Sequence, residues 1–366
     1  MFGRRVAAFL IVLAYVGLPL VARAQTATPE QRRDIAALVR VADAALMADV
    51  GIGEDAAATA PTPLRFGQQD RRDGAISVSW LSAHFVKGQQ GRTYMPFTVN
   101  VDRARLTGGA SFLVRIVSAE QAAAFARARA ATPEAGASPP APPSYAWDEA
   151  YFLDVPGDGQ FARAVELPPG RYVAYLAVKP TSDAAAAAAT PAADGPTGLL
   201  RHELTVPDYA ARGLKTSSII LARSIQQLDK PLPSAQQAEN PYVFGTLRIA
   251  PSVRGSFSTA SQLNFLFWVY GVEAGPTGKP DVTLEYSFHR RLEEGETYFN
   301  KTEPQRLNPE TLSPQFSLEA GHQLTGGLAI PLGSFPQGEY RLEITVTDNV
   351  SGSEVVESVG FTVVPA

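Results

Sequence analysis

The sequence predicts an all-β protein. It reads as two tandem sandwiches of the immunoglobulin or fibronectin type, with a short N-terminal helix and a helical, Pro-rich insertion in the first sandwich. Three observations carry this. Long tracts alternate apolar and polar residues with period two, are rich in β-branched and aromatic residues, and are bounded by Gly, Asp and Asn. The stretch "LPPGRYVAYLAV" (Leu167–Val178) returns, barely altered, as "FPQGEYRLEITV" (Phe335–Val346). Each copy runs into a turn and a last strand ending "LTVP" or "FTVVP".

The repeat is the strongest of the three. In both copies an apolar residue precedes Pro, and Gly170 or Gly338 sits two positions after that Pro. Tyr172 or Tyr340 follows two positions later. The Gly permits the positive φ that a tight turn demands. The Tyr opens a strand whose alternation continues, with Tyr340, Leu342, Ile344 and Val346 on one face. A Tyr at the start of a penultimate strand can bury its ring while its hydroxyl bonds back to the connecting backbone, the tyrosine-corner arrangement of β-sandwiches. Two copies predict two sandwiches of related construction.

From the N-terminus, Arg4 and Arg5 precede the uncharged run "VAAFLIVLAYVGLPLV" and then Ala22-Arg23-Ala24. This is the pattern of a secretory signal peptide over 1–24, cleaved after Ala24 to leave a chain starting at Gln25. The run is short for a bilayer span and Pro19 breaks its end, which disfavours a retained anchor. A twin-arginine signal has only the Arg pair in its favour. Residues 25–74 hold a helix and a linker. Thr28 and Gln31 have capping-box spacing, Pro29 suits a first helical turn, and Ile35, Leu38, Val39, Ala42 and Leu46 recur at helical spacing. "GEDAAATAPTP" reads as linker.

The first sandwich is expected over 75–223. "ISVSW", "YMPFTVNV" and "ASFLVRIV" read as strands, with Phe97, Val99 and Val101 on one face. An insertion over 118–144 follows, helical from a second capping box at Ser118 and Gln121, then Pro-rich and unable to pack as a regular element. Strands resume at "YAWDEAYFLDV", "QFARAVEL", the first copy of the repeat and "LLRHELTV". An Ala-rich loop separates the last two. "GLKTSSIILARSIQQL" fits strand or helix, with a strand favoured through Ser218–Ala222. Residues 224–241 read as a Pro-rich linker and 242–366 as the second sandwich.

Composition excludes several classes. The net charge is −4 with Lys and Arg scattered, so the chain lacks an electrostatic nucleic-acid footprint. There is no Cys, so the cores alone must hold the fold. The absence of Cys after Ala24 also excludes a lipoprotein. No later stretch is apolar enough to span a membrane. The four His (His84, His202, His289 and His322) show no metal-ligand spacing. His202 lies on an apolar face with Leu200, Leu204 and Val206 and reads as a bonded core residue. His289 shares parity with Glu285 and Ser287, which suits solvent or a domain contact. No nucleophile elbow or Walker motif occurs, and "GIGEDA" follows a helix where a dinucleotide fingerprint needs a strand. Asp154 with Asp158, and Glu293, Glu294 with Glu296, read as polar turns and lack the spacing of a calcium loop. No cofactor, metal or catalytic residue is expected.

The aromatic residues are the candidate binding groups. "NFLFWVYG" is apolar on both parities: Phe265, Phe267 and Val269 on one side, Leu266, Trp268 and Tyr270 on the other. A sandwich strand normally shows water one face, so something must cover the second. Self-coverage predicts a buried Trp268; a ligand platform predicts an exposed one. Tyr145, Trp147 and Tyr151 in "YAWDEAYF" form a second candidate, for stacking on sugar rings or for packing at a sheet edge.

"YVFGTLRIAPSV", "KPDVTLEYSFHR" and "FPQGEYRLEITVTDNVSGSEVVESVGFTV" resemble the C-terminal β-sandwich region of exported bacterial proteins that carry a von Willebrand factor A-related or GWxTD domain upstream. "TYMPFTVNVD" and "LKTSSIILA" resemble the preceding sandwich and its exit strand. The resemblance spans roughly residues 75–366 and rests on turn and strand patterns. This chain lacks both upstream signatures. No D-x-S-x-S occurs, "DGAIS" (Asp73–Ser77) being wrongly spaced, and no GWxTD string occurs. The resemblance therefore implies the scaffold without the metal chemistry. The expectation is an exported, periplasmic or secreted, non-catalytic structural or interaction protein of the cell envelope. Its partner is an envelope or extracellular protein. The alternative is carbohydrate binding through Trp268 and Tyr270 or through Tyr145, Trp147 and Tyr151.

Overall fold

The structure, a computed structural model, describes residues 27–48, 76–106, 109–130, 142–181 and 196–366. The expected signal peptide, most of the linker that follows α1, the Pro-rich tip of the insertion and most of the Ala-rich loop lie outside the described residues. The chain is all-β in class and divides into two compact units. One holds the described residues up to 82 together with 97–207; the other holds 83–96 together with 208–366.

In the first unit, helix α1 (Pro29–Ala48) opens with the expected capping box. The Thr28 amide donates to Gln31 Oε1 at 3.0 Å and the Gln31 amide donates to Thr28 Oγ1 at 3.2 Å, satisfying two of the free donors of a helix start. The strands follow in chain order: β1 (Val78–Ala83), β2 (Val86–Lys87), which clusters with the second unit, β3 (Thr93–Val101) and β4 (Gly109–Ser118). Helix α2 (Ala119–Ala130) starts where Ser118 Oγ accepts from the Gln121 amide at 3.1 Å. Then come β5 (Trp147–Asp154), β6 (Gln160–Leu167), β7 (Gly170–Pro180) and β8 (Gly198–Val206). One antiparallel sheet runs β5-β4-β7-β8; in the other, β3 pairs with β1, β2 and β6.

The sheet β5-β4-β7-β8 is covered on both faces. Phe112 of β4 meets Phe161 of β6 with centroids 4.2 Å apart, which marks the face turned to the second sheet. On the opposite face Leu113, Val117, Val173, Tyr175 and Ala177 pack with Leu38, Ala42, Ala45 and Leu46 of α1 and with Ala122 and Phe125 of α2. Double coverage explains why β4 is buried over eight consecutive positions instead of alternating.

The second unit contains β9 (Lys215–Thr216), β10 (Ile220–Gln227), a four-residue helix α3 (Ser234–Gln237), β11 (Val243–Phe244), β12 (Leu247–Pro251), β13 (Ser256–Ser258) and β14 (Gln262–Tyr270). It continues with β15 (Val282–Leu292), β16 (Gly295–Lys301), β17 (Gln305–Leu307), β18 (Leu324–Pro331), β19 (Gly338–Asp348) and β20 (Ser353–Val364). One sheet runs β11-β12-β10-β14-β18, the other β13-β20-β19-β15-β16. Phe265 and Phe267 of the first meet Tyr286 of the second at 5.3 and 6.5 Å, inside a single core. Strand β19 alternates cleanly, with Tyr340, Leu342, Ile344 and Val346 buried as the repeat predicts.

Two expected boundaries are corrected. The sequence reading divides Ile220–Gln227 between the first sandwich and the linker; it is an inner strand of the second unit, paired with β14 from Ile220 to Ala222 and with β12 up to Gln227. Residues 83–96, expected in the first sandwich, cluster with the second unit, and the division falls inside β3. In both cases pairing between residues far apart in sequence overrides local composition. At β18, two glycines allow a close approach that no other residue would. A Cβ at Gly326 would lie 2.5 Å from Phe267 Cζ, and one at Gly327, whose φ is +154°, would lie 2.3 Å from the Phe265 carbonyl oxygen.

Candidate functional site

Both tyrosine corners form as the repeat predicts. The Tyr172 hydroxyl donates to the Pro168 carbonyl at 2.9 Å, and the Tyr340 hydroxyl donates to the Pro336 carbonyl at 2.7 Å. Gly170 and Gly338 have φ of +151° and +148°, nearly the same unusual conformation at equivalent places. Each Tyr strand then pairs with the last strand of its own unit, β7 with β8 and β19 with β20. Tyr340 is stacked on Phe361 with centroids 5.3 Å apart, so its ring is core while its hydroxyl closes the turn. These four residues are structural.

The aromatic strand β14 is buried on both sides, which removes Trp268 and Tyr270 as ligand groups. Trp268 is 1% exposed and Tyr270 4%. The cover comes from the second unit itself. Phe244 of β11 packs on Trp268 with centroids 4.9 Å apart, and Tyr209 packs on Tyr270 at 5.0 Å. The segment around β2 adds polar ties. The Lys87 amide donates to the Tyr270 hydroxyl at 3.1 Å, and the Tyr209 hydroxyl donates to the Phe85 carbonyl at 3.1 Å. Phe85 and Ser218 exchange two bonds, from the Phe85 amide to Ser218 Oγ and from the Ser218 amide to the Phe85 carbonyl. Burial pushes the hydroxyl pKa of Tyr209 and Tyr270 up, so both stay neutral. Nearby, His84 Nδ1 lies 3.0 Å from the Tyr242 hydroxyl, and burial lowers its pKa to about 4.

The second aromatic candidate is equally engaged. Tyr151 is 3% exposed, and the Arg163 guanidinium lies 5.4 Å from its ring centre. Trp147 Nε1 donates to the Tyr151 hydroxyl at 3.4 Å. The Arg115 guanidinium sits 4.1 Å from the Tyr145 ring centre, a cation–π contact. Only Trp147 and Tyr145 keep partial exposure. The group therefore packs beside the edge strand β5 and forms no open stacking platform.

Tyr145 belongs to a polar clamp that sequence reading did not find. Arg115 interrupts the apolar run of β4 and points at α1. It is paired with Asp43 of α1 and, through two bonds of 3.0 and 3.1 Å, with both oxygens of Asp148 on β5. The Tyr145 hydroxyl donates to Asp43 at 3.3 Å. Burial works against the Arg115 charge, but the Asp148 hydrogen bond and the nearby carboxylates outweigh it and raise its pKa. Burial also pushes Tyr145 up to about 12. A second link ties the start of the helix. Asp34, fully buried, pairs with Lys179 of β7 and accepts from Ser111 Oγ at 2.9 Å. The only sequence signal was a charged residue on a strand face that is otherwise apolar.

His202 is half-buried and stacks on Trp80 at 4.5 Å, with Phe97 stacked on the far side of the same indole at 4.9 Å. His289 makes an edge contact with Tyr298 at 6.0 Å. The turn acids take structural parts: Glu296 bonds Arg341, and Asp158 accepts from the Gln160 amide. Among the described residues, no group of three or more His, Asp or Glu is placed to hold a metal, and no helix is long and apolar enough to cross a membrane.

No family model matches the chain, and no curated protein matches it. Solved structures do. An Escherichia coli alpha-2-macroglobulin activated by porcine elastase aligns over 81% of this chain and 22% of its own, with 11% identity and a TM-score of 0.20. A Salmonella alpha-2-macroglobulin reacted with methylamine aligns over 81% of this chain and 17% of its own, with 13% identity and a TM-score of 0.20. The dimeric latent PorU of Porphyromonas gingivalis aligns over 79% of this chain and 20% of its own, with 10% identity and a TM-score of 0.27. The chain thus spans about a fifth of the length of these structures.

Proposed function

We propose that the chain is an exported, non-catalytic protein of the cell envelope that works by contact with another envelope or extracellular protein. The observation that carries this reading is where the aromatic residues go. Of those the sequence offers as ligand groups, Tyr151, Trp268 and Tyr270 are buried, Trp268 foremost at 1% exposure, and Tyr145 and Trp147 are half-buried against Arg115 and Tyr151. The sheets also end in edge strands, such as β5 and β16, which suit protein contact. The tandem sandwich region of the von Willebrand A-related and GWxTD proteins is the scaffold type we assign to it. The apolar run ending at Ala24 is the export signal in this reading.

The test has two arms. The chain expressed with its first 24 residues in a bacterium with two membranes is fractionated, and its N-terminus is sequenced. Recovery outside the cytoplasm with Gln25 as first residue is expected; an uncleaved cytoplasmic product overturns the export claim. Purified protein is then screened on a glycan array. No binding is expected, and binding lost in Trp147→Ala would replace the protein-contact reading with the carbohydrate one.

A further inference from the structure

We propose that Asp34 and Lys179 condense to an amide, releasing one water and tying α1 covalently to β7. The inference does not depend on export or on the nature of any partner. It starts from where the two side chains sit. Ser111 of β4 and Lys179 of β7 lie directly opposite each other, and the next row on the same face is Leu113 opposite Ala177, packed under α1. Asp34 reaches the first of these rows from the helix. Its Oδ1 meets Lys179 Nζ, and its Oδ2 accepts from Ser111 Oγ at 2.9 Å. One helical turn on, Leu38 packs with Leu113 and Ala177.

The reactants are therefore held in contact and away from water. Asp34, Ser111, Leu38, Leu113 and Ala177 are all fully buried, and Lys179 nearly so. Opposite charges in such a place either hold each other or neutralise by passing a proton. A proton moved from Nζ to Oδ1 leaves an uncharged amine against a carboxylic acid. Nζ then attacks Cγ, and negative charge builds on Oδ2, where the Ser111 hydroxyl already donates. The Nζ–Cγ bond forms, the Cγ–Oδ1 bond breaks, and Oδ1 leaves as water with two protons from the nitrogen. Oδ2 remains as the amide oxygen. The step balances without an oxidant, a reductant or a second substrate. Contact replaces the collision that makes amide formation slow in solution; well-oriented groups in one molecule reach effective molarities of about 10⁵–10⁸ M.

The second link of α1 lacks these parts. Asp43 pairs with Arg115, whose guanidinium does not give up its proton, and the Asp43 side chain is 36% exposed. The amide joins positions 145 apart in a chain that has no Cys and so no disulfide. A cross-link that closes so long a loop restricts the unfolded chain strongly. Until it forms, the two residues are the ion pair described above. Either single substitution removes the whole bond, so the linked and the unlinked pair alike couple the two sites.

The test is a peptide map of the full chain, purified, unfolded and digested with trypsin. Residues 34–40 and 172–201 are the tryptic segments that hold the pair, Lys179 being followed by Pro180. Mass spectrometry should find them mainly as one joined species, lighter than their sum by one water, with fragmentation placing the bond between Asp34 and Lys179. Lys179→Arg keeps the cation and loses the reactive amine, so its two segments should be recovered apart. Recovery of the segments mainly as separate peptides from the unaltered chain overturns the proposal. So does a joined species that persists in Lys179→Arg. Should Lys179→Arg fail to fold, shown by circular dichroism, the map of the unaltered chain decides alone.

Discussion

The Asp34–Lys179 pair makes a sharp energetic test of how α1 is held. Its side chains are 0% and 8% exposed, so both charges have left water. Taking one partner away strands the other, which typically costs about 3–5 kcal/mol, whereas replacing both with apolar residues of similar size is near neutral. Lys179→Met keeps most of the stem and removes the cation that faces the Asp34 carboxylate. It should cost about 3 kcal/mol or more. Asp34→Leu with Lys179→Met removes both charges, and its residual cost includes the lost Ser111 bond, about 1 kcal/mol. The coupling between the two sites should therefore be at least about 2 kcal/mol. By contrast, the Arg201–Glu203 pair, with Glu203 at 60% exposure, should be worth less than about 1 kcal/mol. The assay is urea unfolding at pH 7 followed by circular dichroism, on both singles and the double. If Lys179→Met costs less than about 1 kcal/mol, or if the double costs the sum of the singles, the clamp is solvated and the reasoning fails.

Two further outcomes are expected. Tyr172→Phe and Tyr340→Phe each keep the ring and lose one hydroxyl-to-carbonyl bond, so each should lower stability by about 1–2 kcal/mol, read as a lower urea midpoint at unchanged slope; no shift in either would remove the corner's structural role. For His84, burial holds the pKa to about 4 against 6.5, so the unfolded chain takes up its proton first as pH falls. Stability is then full above pH 6.5 and declines toward pH 4, by up to about 1.4 kcal/mol per pH unit. His84→Gln should flatten that decline between pH 7 and 5, and a decline unchanged by the substitution would place its origin elsewhere.

What the sequence made legible was local. Both capping boxes join residues three apart, and both corners join residues four apart, so residue type and spacing suffice to find them. What it hid was long-range. The polar end of β10, "RSIQQ", looks like linker because its partners lie on β12, reached only through the intervening loop. The same holds for the clamp. Arg115 inside "FLVRIV" and Lys179 at the end of "LAVKP" announce that some group must neutralise them, but Asp34 and Asp43 sit on a helix of ordinary composition and nothing nearby in sequence names them. For β14, apolar residues on both parities correctly required a cover over Trp268. Its source, residues 242–244 with the segment around β2, could not be read from pattern alone.

These cases share one rule. Where a strand alternates, as β19 does, one face meets water and needs nothing further. Where alternation fails, the chain supplies a second layer: α1 and α2 over β4, and Phe244 with Tyr209 over β14. Those layers satisfy faces. Strand β18 also departs from alternation, with Gly326 and Gly327 at its middle, yet its open side is an edge, which needs backbone partners as well as apolar contact. A helix cannot supply such partners in a row, because its own amides and carbonyls are already paired; another strand can.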